Sequence, residues 1–390
     1  MKNSEKDRYF ILSPWFIGSL MGIVSLGFYL IPNKIYSYYI REPADLYLNY
    51  KAMIYISLST IAFTVFGKIG FRIRNPKVIS NNKVSAFTIG NITTVIIVLL
   101  VINLLYVIYT IGPSNILAIY ANGDSQNGNY FKLQLSQAIS NGKLGWISDL
   151  SIALIVWSFW TILGQRNRML YLKIIISILL YSVNSIISVS RDNIISLVVM
   201  LICVYLGYVI RNGKLNFRKI FLIASTFIVF FGATFSLIGL ARSSNITSVS
   251  YEITKQFMGY FPASYNRFAY VLDNRLEYPN SGWGYYSTQF IWDVPFISGG
   301  LDIYGFGRDL GIPLPKSSQE NWRNQFVAVQ QSGLNPSYIW TTIFGFTFSD
   351  FGYFGIMYFI IYGFISGIVF REFKRGDLLV LSCIHFCFLL

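Results

Sequence analysis

The stretch AFTIGNITTVIIVLLVINLLYVIYT, residues 86–110, carries no charged side chain anywhere along it. As an α-helix rising about 1.5 Å per residue, it exceeds the roughly 30 Å of hydrocarbon in a bilayer. Working outward, comparable apolar runs occur at about 10–31, 50–67, 145–163, 171–188, 193–210, 220–240 and 351–370. The runs at 171–188 and 193–210 meet at SRDN, which predicts a tight transmembrane hairpin. A further run starts near Leu378 and stops at Leu390, roughly 13 residues that are too few to span. A truncated chain or a half-inserted helix is expected there. Composition agrees with this reading. The 390 residues are 54% hydrophobic and only 12% charged, about half the charge that keeps a soluble domain's surface wet. The expected fold class is an all-α polytopic integral membrane protein, with about 8–9 transmembrane helices and one large, partly helical outer loop.

The net charge of +14 raises the question of nucleic acid, and its distribution answers it. With a cytoplasmic N-terminus and loops assigned alternately, the inside holds Lys2, Lys6 and Arg8, the Lys68–Lys83 group, Arg166, Arg168 and Lys173. It also holds Arg211, Lys214, Arg218 and Lys219, then Arg371, Lys374 and Arg375. Against these stand only Glu5, Asp7, Glu372 and Asp377, so the whole excess lies on one side, as the positive-inside rule requires. The charge sets topology, and no nucleic-acid partner is expected. The chain then divides into 1–240, seven helices with short loops; 241–336, a large extracytoplasmic loop; and 337–390, a re-entrant or interfacial segment plus C-terminal helices. The large loop is rich in Tyr, Phe and Trp with Gly and Pro turns, which predicts a folded segment docked on the bundle.

Several chemistries are absent from the sequence. A single histidine, His385, rules out a histidine metal cluster. No CxxC pair links Cys203, Cys383 and Cys387, and no Walker-type loop or DxD pair appears, so no metal or organic cofactor is expected. What remains is arginine at the outer face. Arg191 sits in SRDN, Arg242 follows the seventh run, and Arg267 and Arg275 lie in ASYNRFAYVLDNRL. These last two are eight residues apart, about two helical turns, and so near one face. A guanidinium is permanently charged and its planar fork matches phosphate oxygens, so at headgroup depth such groups would hold a lipid pyrophosphate. Each also has a plain alternative: snorkelling to lipid phosphates for Arg191 and Arg242, a solvated ion-pair face for Arg267 and Arg275. Carboxylates on the same side, Asp192, Asp273 and Asp350, are candidate general bases. Asp350 reads first as an N-cap of the last helix. Loop aromatics such as Tyr265 are candidates to stack on sugar rings.

The hairpin SRDNIISLVVM, the loop segment PASYNRFAYVLDN and the closing TTIFGFTFSDFGYFGIMYFIIYGFISG resemble the Wzy-type oligosaccharide repeat-unit polymerases of bacterial O-antigen, lipopolysaccharide and capsule assembly. The resemblance implies a multi-pass glycosyltransferase of the bacterial inner (cytoplasmic) membrane. Its substrate would be undecaprenyl-pyrophosphate-linked oligosaccharide, and its partners membrane lipids, a flippase and chain-length regulator proteins. Essential arginines in outer loops are the family's recurring feature. That carries a catalytic role to Arg191 and substrate binding to Arg242 and Arg267, while the chemistry of the residues themselves adds Asp192 and Asp273 as catalytic candidates and Arg275 and Tyr265 as substrate-binding ones. The alternatives are a lipid-linked oligosaccharide flippase or transporter, or an O-antigen ligase. Ligases place a histidine in the large loop, and this chain has none there.

Overall fold

The computed structural model describes residues 9–43, 49–73, 85–114, 145–163, 167–187, 191–212, 249–282, 284–288 and 318–375, with Ser225, Asp309, Gly311 and Pro315. Among these residues the regular structure is helical: α1 Pro14–Tyr29, α2 Asn33–Ile40, α3 Tyr50–Arg72, α4 Ala86–Ile111, α5 Gly145–Ile162, α6 Arg168–Ile187, α7 Arg191–Arg211, α8 Val249–Tyr260, α9 Pro262–Leu272, α10 Ser318–Gln331, α11 Ile343–Phe351 and α12 Gly355–Arg375. Short 3-10 turns occupy Phe10–Leu12 and Gly352–Phe354.

Five helical runs among the described residues are long and apolar enough to cross a membrane: α3, α4, α6, α7 and the run Ile343–Lys374, which joins α11 to α12. A bent pair, α1 with α2, brings the number to six. The chain is therefore a helical protein built to be embedded in a membrane. The expected span at 220–240 and the run after Leu378 lie outside the described residues. The run at 145–163 is α5, whose apolar part, Leu150–Ile162, is short.

Local chemistry explains where these helices start and stop. α4 begins after Ser85, whose hydroxyl accepts the Thr88 N–H at 3.1 Å, and α11 after Thr342, whose hydroxyl accepts the Gly345 N–H at 3.2 Å. α1 cannot run on through residue 31, because Pro32 disfavours helical backbone in the residue before it. The chain resumes as α2 at 85° to α1. The charge-free run expected as one span from 10 to 31 is thus a 16-residue helix and a sharp turn.

The described residues fall into two compact units, each assembled from separate stretches. In the unit containing Phe71–Val249 and Ser366–Leu389, α4, α5, α6 and α7 pack on one another. Ile89, Ile162, Leu170 and Ile174 form a dry core there. Polar groups bridge its helices: Lys173 Nζ donates to Thr94 Oγ1 at 2.8 Å, and Asn184 Nδ2 to the Leu100 carbonyl at 3.1 Å.

The other unit holds Pro14–Gly70 and Ser250–Ile365. Its core joins Phe28, Tyr36, Ile40, Tyr55, Ile56 and Phe63 from the N-terminal helices to Met258, Tyr265, Phe268, Phe344 and Phe359. The described part of the large loop is therefore folded onto apolar helices. A second core beside it packs Tyr270, Tyr278, Tyr285, Tyr286, Val329 and Ile339.

Candidate functional site

Arg41 ends α2 in the left-handed conformation, φ 57°, and Glu42 follows it into the interior. α9 opens with Pro262 at its first position, where a missing N–H costs nothing, and every one of its residues is buried. Arg267, in the middle of α9, has 0% exposure. All five of its N–H groups are used. Nε donates to the Tyr338 carbonyl; Nη1 to Glu42 Oε1 at 3.0 Å and the Ala263 carbonyl at 2.8 Å; Nη2 to Glu42 Oε2 and the Asn335 carbonyl, both at 2.9 Å. Glu42 is equally saturated. Its Oε1 also accepts the Tyr36 hydroxyl and Asn266 Nδ2 (2.9 Å), and its Oε2 accepts the Asn335 N–H at 2.8 Å. Asn335 Nδ2 closes the clasp on the Ile40 carbonyl at 3.0 Å.

Taking two such charges out of water costs several kcal/mol per ion, roughly, unless hydrogen bonds satisfy them, as they do here. Burial is the strongest influence on the Arg267 cation and works against it, but the charge and hydrogen bonds of Glu42, together with the Tyr36 and Tyr278 oxygens, more than offset burial and raise its pKa above the ordinary value. Burial likewise lifts the neighbouring Tyr278 hydroxyl well above the usual phenol range, so it stays protonated and donates to the Ile339 carbonyl at 2.7 Å.

Arg267 and Arg275 do not share a helical face. α9 ends at Leu272, Asp273 caps it, and Asn274 turns the chain at φ 56°, a left-handed conformation that asparagine tolerates. Arg267 therefore points inward and Arg275 outward, half exposed, 5.6 Å over the Tyr270 ring. Asp273 lies beside it, 3.7 Å from Arg275 Nε and 3.6 Å from Lys51 Nζ. Tyr265 is buried against Phe28, and its hydroxyl shares a 2.9 Å hydrogen bond with Ser25, so its ring is packing rather than a stacking platform. Arg191 and Asp192 open α7 in the other unit, their side chains outside the described residues, as is Arg242 altogether.

Around Arg275 is an open groove of about 390 Å³, lined by Arg275, Glu277, Tyr278, Ala328, Gln331 and Ser332. It offers a guanidinium fork, a carboxylate, an amide and a hydroxyl over a tyrosine floor, a set suited to a ligand bearing hydroxyls and an anionic group. Below it, Asp350 is buried and accepts the N–H groups of Tyr286 at 3.3 Å and Ser287 at 2.6 Å. Asp350 sits in the last turn of α11, and α12 starts only at Gly355 after a 3-10 turn. The expected N-cap of the final helix is therefore a brace for the turn at 284–288 instead.

Sequence reasoning missed Glu42, Glu277, Gln331 and Ser332. Glu42 had one available signal: it is an acid in a short segment between two apolar runs, and an acid that must be buried needs an arginine. Comparison of the chain with protein-family models, curated proteins and solved structures gives no match.

Proposed function

We propose that this chain is a membrane glycosyltransferase of the Wzy type, polymerising undecaprenyl-pyrophosphate-linked oligosaccharide repeat units at the outer face of the cytoplasmic membrane, with eight to nine spans and its N-terminus inside. The observation that carries the reading is a folded, polar-grooved segment built onto apolar helices within one unit, with Arg275 and Glu277 on the groove's wall. In the reaction, an acceptor sugar hydroxyl attacks the anomeric carbon of the donor. The anomeric C–O bond to pyrophosphate breaks, the hydroxyl proton passes to a carboxylate, and the lipid pyrophosphate leaves as an anion. Asp273 is the carboxylate in this scheme, and Arg275 carries the pyrophosphate charge. Arg191, Asp192 and Arg242 are the further candidates that the sequence offers for these two roles. Arg267 supports the site from beneath, its donors all engaged within the protein.

A second reading, a flippase for the same lipid-linked sugar, is favoured by one observation: the break of 85° between α1 and α2. Discontinuous helices are a transporter feature. Glycan length in a deletion strain separates the two. Single repeats retained at the surface with long chains lost means polymerase, and loss of all surface repeats means flippase or ligase. Within the polymerase reading, Arg275→Ala should leave the fold within about 1 kcal/mol of the parent, since its pair with Asp273 and its contact with the Tyr270 ring are made by a half-exposed side chain, yet shorten chains to mostly one repeat. An unchanged ladder at matched expression would remove the groove from the reaction.

A further inference from the structure

We infer that α2 and α8 form an in-plane ledge that lies on the lipid leaflet at headgroup depth, so that the part of the large loop formed by α8 is seated in the membrane interface instead of standing clear of it. The inference rests on the membrane-embedded fold alone and holds whichever activity the chain has.

The geometry starts from α1. It is a 16-residue apolar helix, about 24 Å long, which carries exposed Leu20, Ile23 and Leu26 as a lipid-facing side. α2 leaves its end at 85°, so with α1 set along the bilayer normal α2 runs in the plane of the membrane. α8 lies beside α2 and antiparallel to it. Its early residue Tyr251 meets Tyr39 at 5.3 Å and Tyr38 at 6.0 Å, near the end of α2. Its later residue Phe257 meets Phe28 at 6.2 Å, at the last turn of α1. Phe28 belongs to the apolar run of α1, so the Phe257 ring reaches the depth of that helix's final turn.

Both helices keep large apolar side chains uncovered. Ile35 is 44% and Tyr38 64% exposed on α2, and Ile253 and Phe257 are 41% and 43% exposed on α8. Ile253 and Phe257 are four residues apart and share a face. A soluble surface would not hold these side chains beside an already apolar helix end, where they extend one continuous patch. Tyrosines with an apolar body and a polar tip are the residues that settle at the membrane–water boundary. Lys34 on α2 is exposed, and such a side chain carries its charge up to headgroup phosphates while its stem stays in the apolar layer; the partly exposed Lys255 on α8 lies 3.7 Å from Glu252. Amphipathic helices that lie in the interface are built in this way.

The test is depth-resolved quenching. The full chain, with Cys203, Cys383 and Cys387 changed to alanine, receives one cysteine at a time as Phe257→Cys, Ile253→Cys, Tyr38→Cys or Gln330→Cys. Each is labelled with an environment-sensitive fluorophore and reconstituted into phosphatidylethanolamine/phosphatidylglycerol vesicles with and without spin-labelled lipid. The ledge predicts blue-shifted emission at 257, 253 and 38, quenched several-fold more by spin-labelled lipid than the probe at 330, and shielded from aqueous iodide. Iodide quenching at 257 and 38 equal to that at 330 would overturn the proposal, since the face would then be in water. Blue-shifted emission that neither quencher reaches would overturn it as well, placing a protein surface over the ledge. Labels on both helices keep the result readable if one substitution fails to fold.

Discussion

Arg267 and Arg275 are one short turn of chain apart, yet their surroundings dictate opposite consequences for the same substitution. Removing Arg267 leaves Glu42 charged, buried and short of two donors, while three backbone carbonyls each lose the guanidinium donor. Breaking a buried pair of this kind costs about 3–5 kcal/mol. Arg267→Ala should therefore fall well below the parent in thermal unfolding in detergent, whereas a double variant, Glu42→Gln with Arg267→Met, should recover part of the loss. A parent-like unfolding temperature for Arg267→Ala would mean that the clasp carries no stability, and would return Arg267 to the ligand. Arg191 is decided by different chemistry. If it grips a pyrophosphate with its planar fork, lysine cannot replace it. Arg191→Lys should then lose about 2–4 kcal/mol of transition-state stabilisation, leaving glycans mostly one repeat long. A normal long-chain ladder at matched expression refutes that role. The sequence made the arginines conspicuous, but not their direction. Spacing alone put Arg267 and Arg275 on one face, and only the stop at Asp273–Asn274 separates them. That dipeptide is a helix-ending signal, outweighed in the reading by an eight-residue interval.

Helices cross closely where glycine replaces side chain, and the approach of α3 to α12 depends on it. A Cβ added at Gly70 would collide with the Phe364 carbonyl oxygen, and one at Gly363 would lie 2.5 Å from that of Phe63. Backbone oxygens cannot rotate away, so the helices would have to separate. In an apolar solvent close packing is itself the main attraction between helices. Gly363→Val should accordingly cost at least about 2 kcal/mol and reduce the folded fraction recovered in detergent. Gly27 has nothing within 4 Å of its added Cβ, and Gly27→Ala should be neutral or stabilise α1 by about 0.5–1 kcal/mol. Equal losses from both would show that the crossing does not depend on glycine. At this scale the long apolar runs at α3, α4, α6 and α7 were plain in the sequence, because an apolar stretch of that length with so few charges has one common use. The ends were not. Pro32 breaks what hydropathy joins at α1, and Thr342 starts the last apolar run before the position where hydropathy alone begins it. Hydropathy measures burial in lipid and is blind to caps and prolines.

At the scale of the whole molecule, the remaining question is which way the helices point. A helical bundle has the same packing in either orientation, so no contact within the two units decides it, and the argument falls to charge. The segment between α3 and α4 carries Arg74, Lys77 and Lys83, with Lys68 and Arg72 on the preceding helix, and not one acidic residue. Moving such a group across the hydrocarbon is opposed during insertion, and basic residues in short loops next to spans set orientation more strongly than any acid does. Asn82, inside that segment, is expected in the cytoplasm. Gln330 is exposed on α10, in the unit that holds the groove, and is expected on the opposite side. In a chain freed of its natural cysteines, Gln330→Cys should react with a membrane-impermeant maleimide on intact cells. Asn82→Cys should react only after permeabilisation, which also proves that the site can be labelled. The reverse pattern would invert the molecule, put Arg275 and its groove in the cytoplasm, and leave no outer-face site at which lipid-linked repeats could be joined.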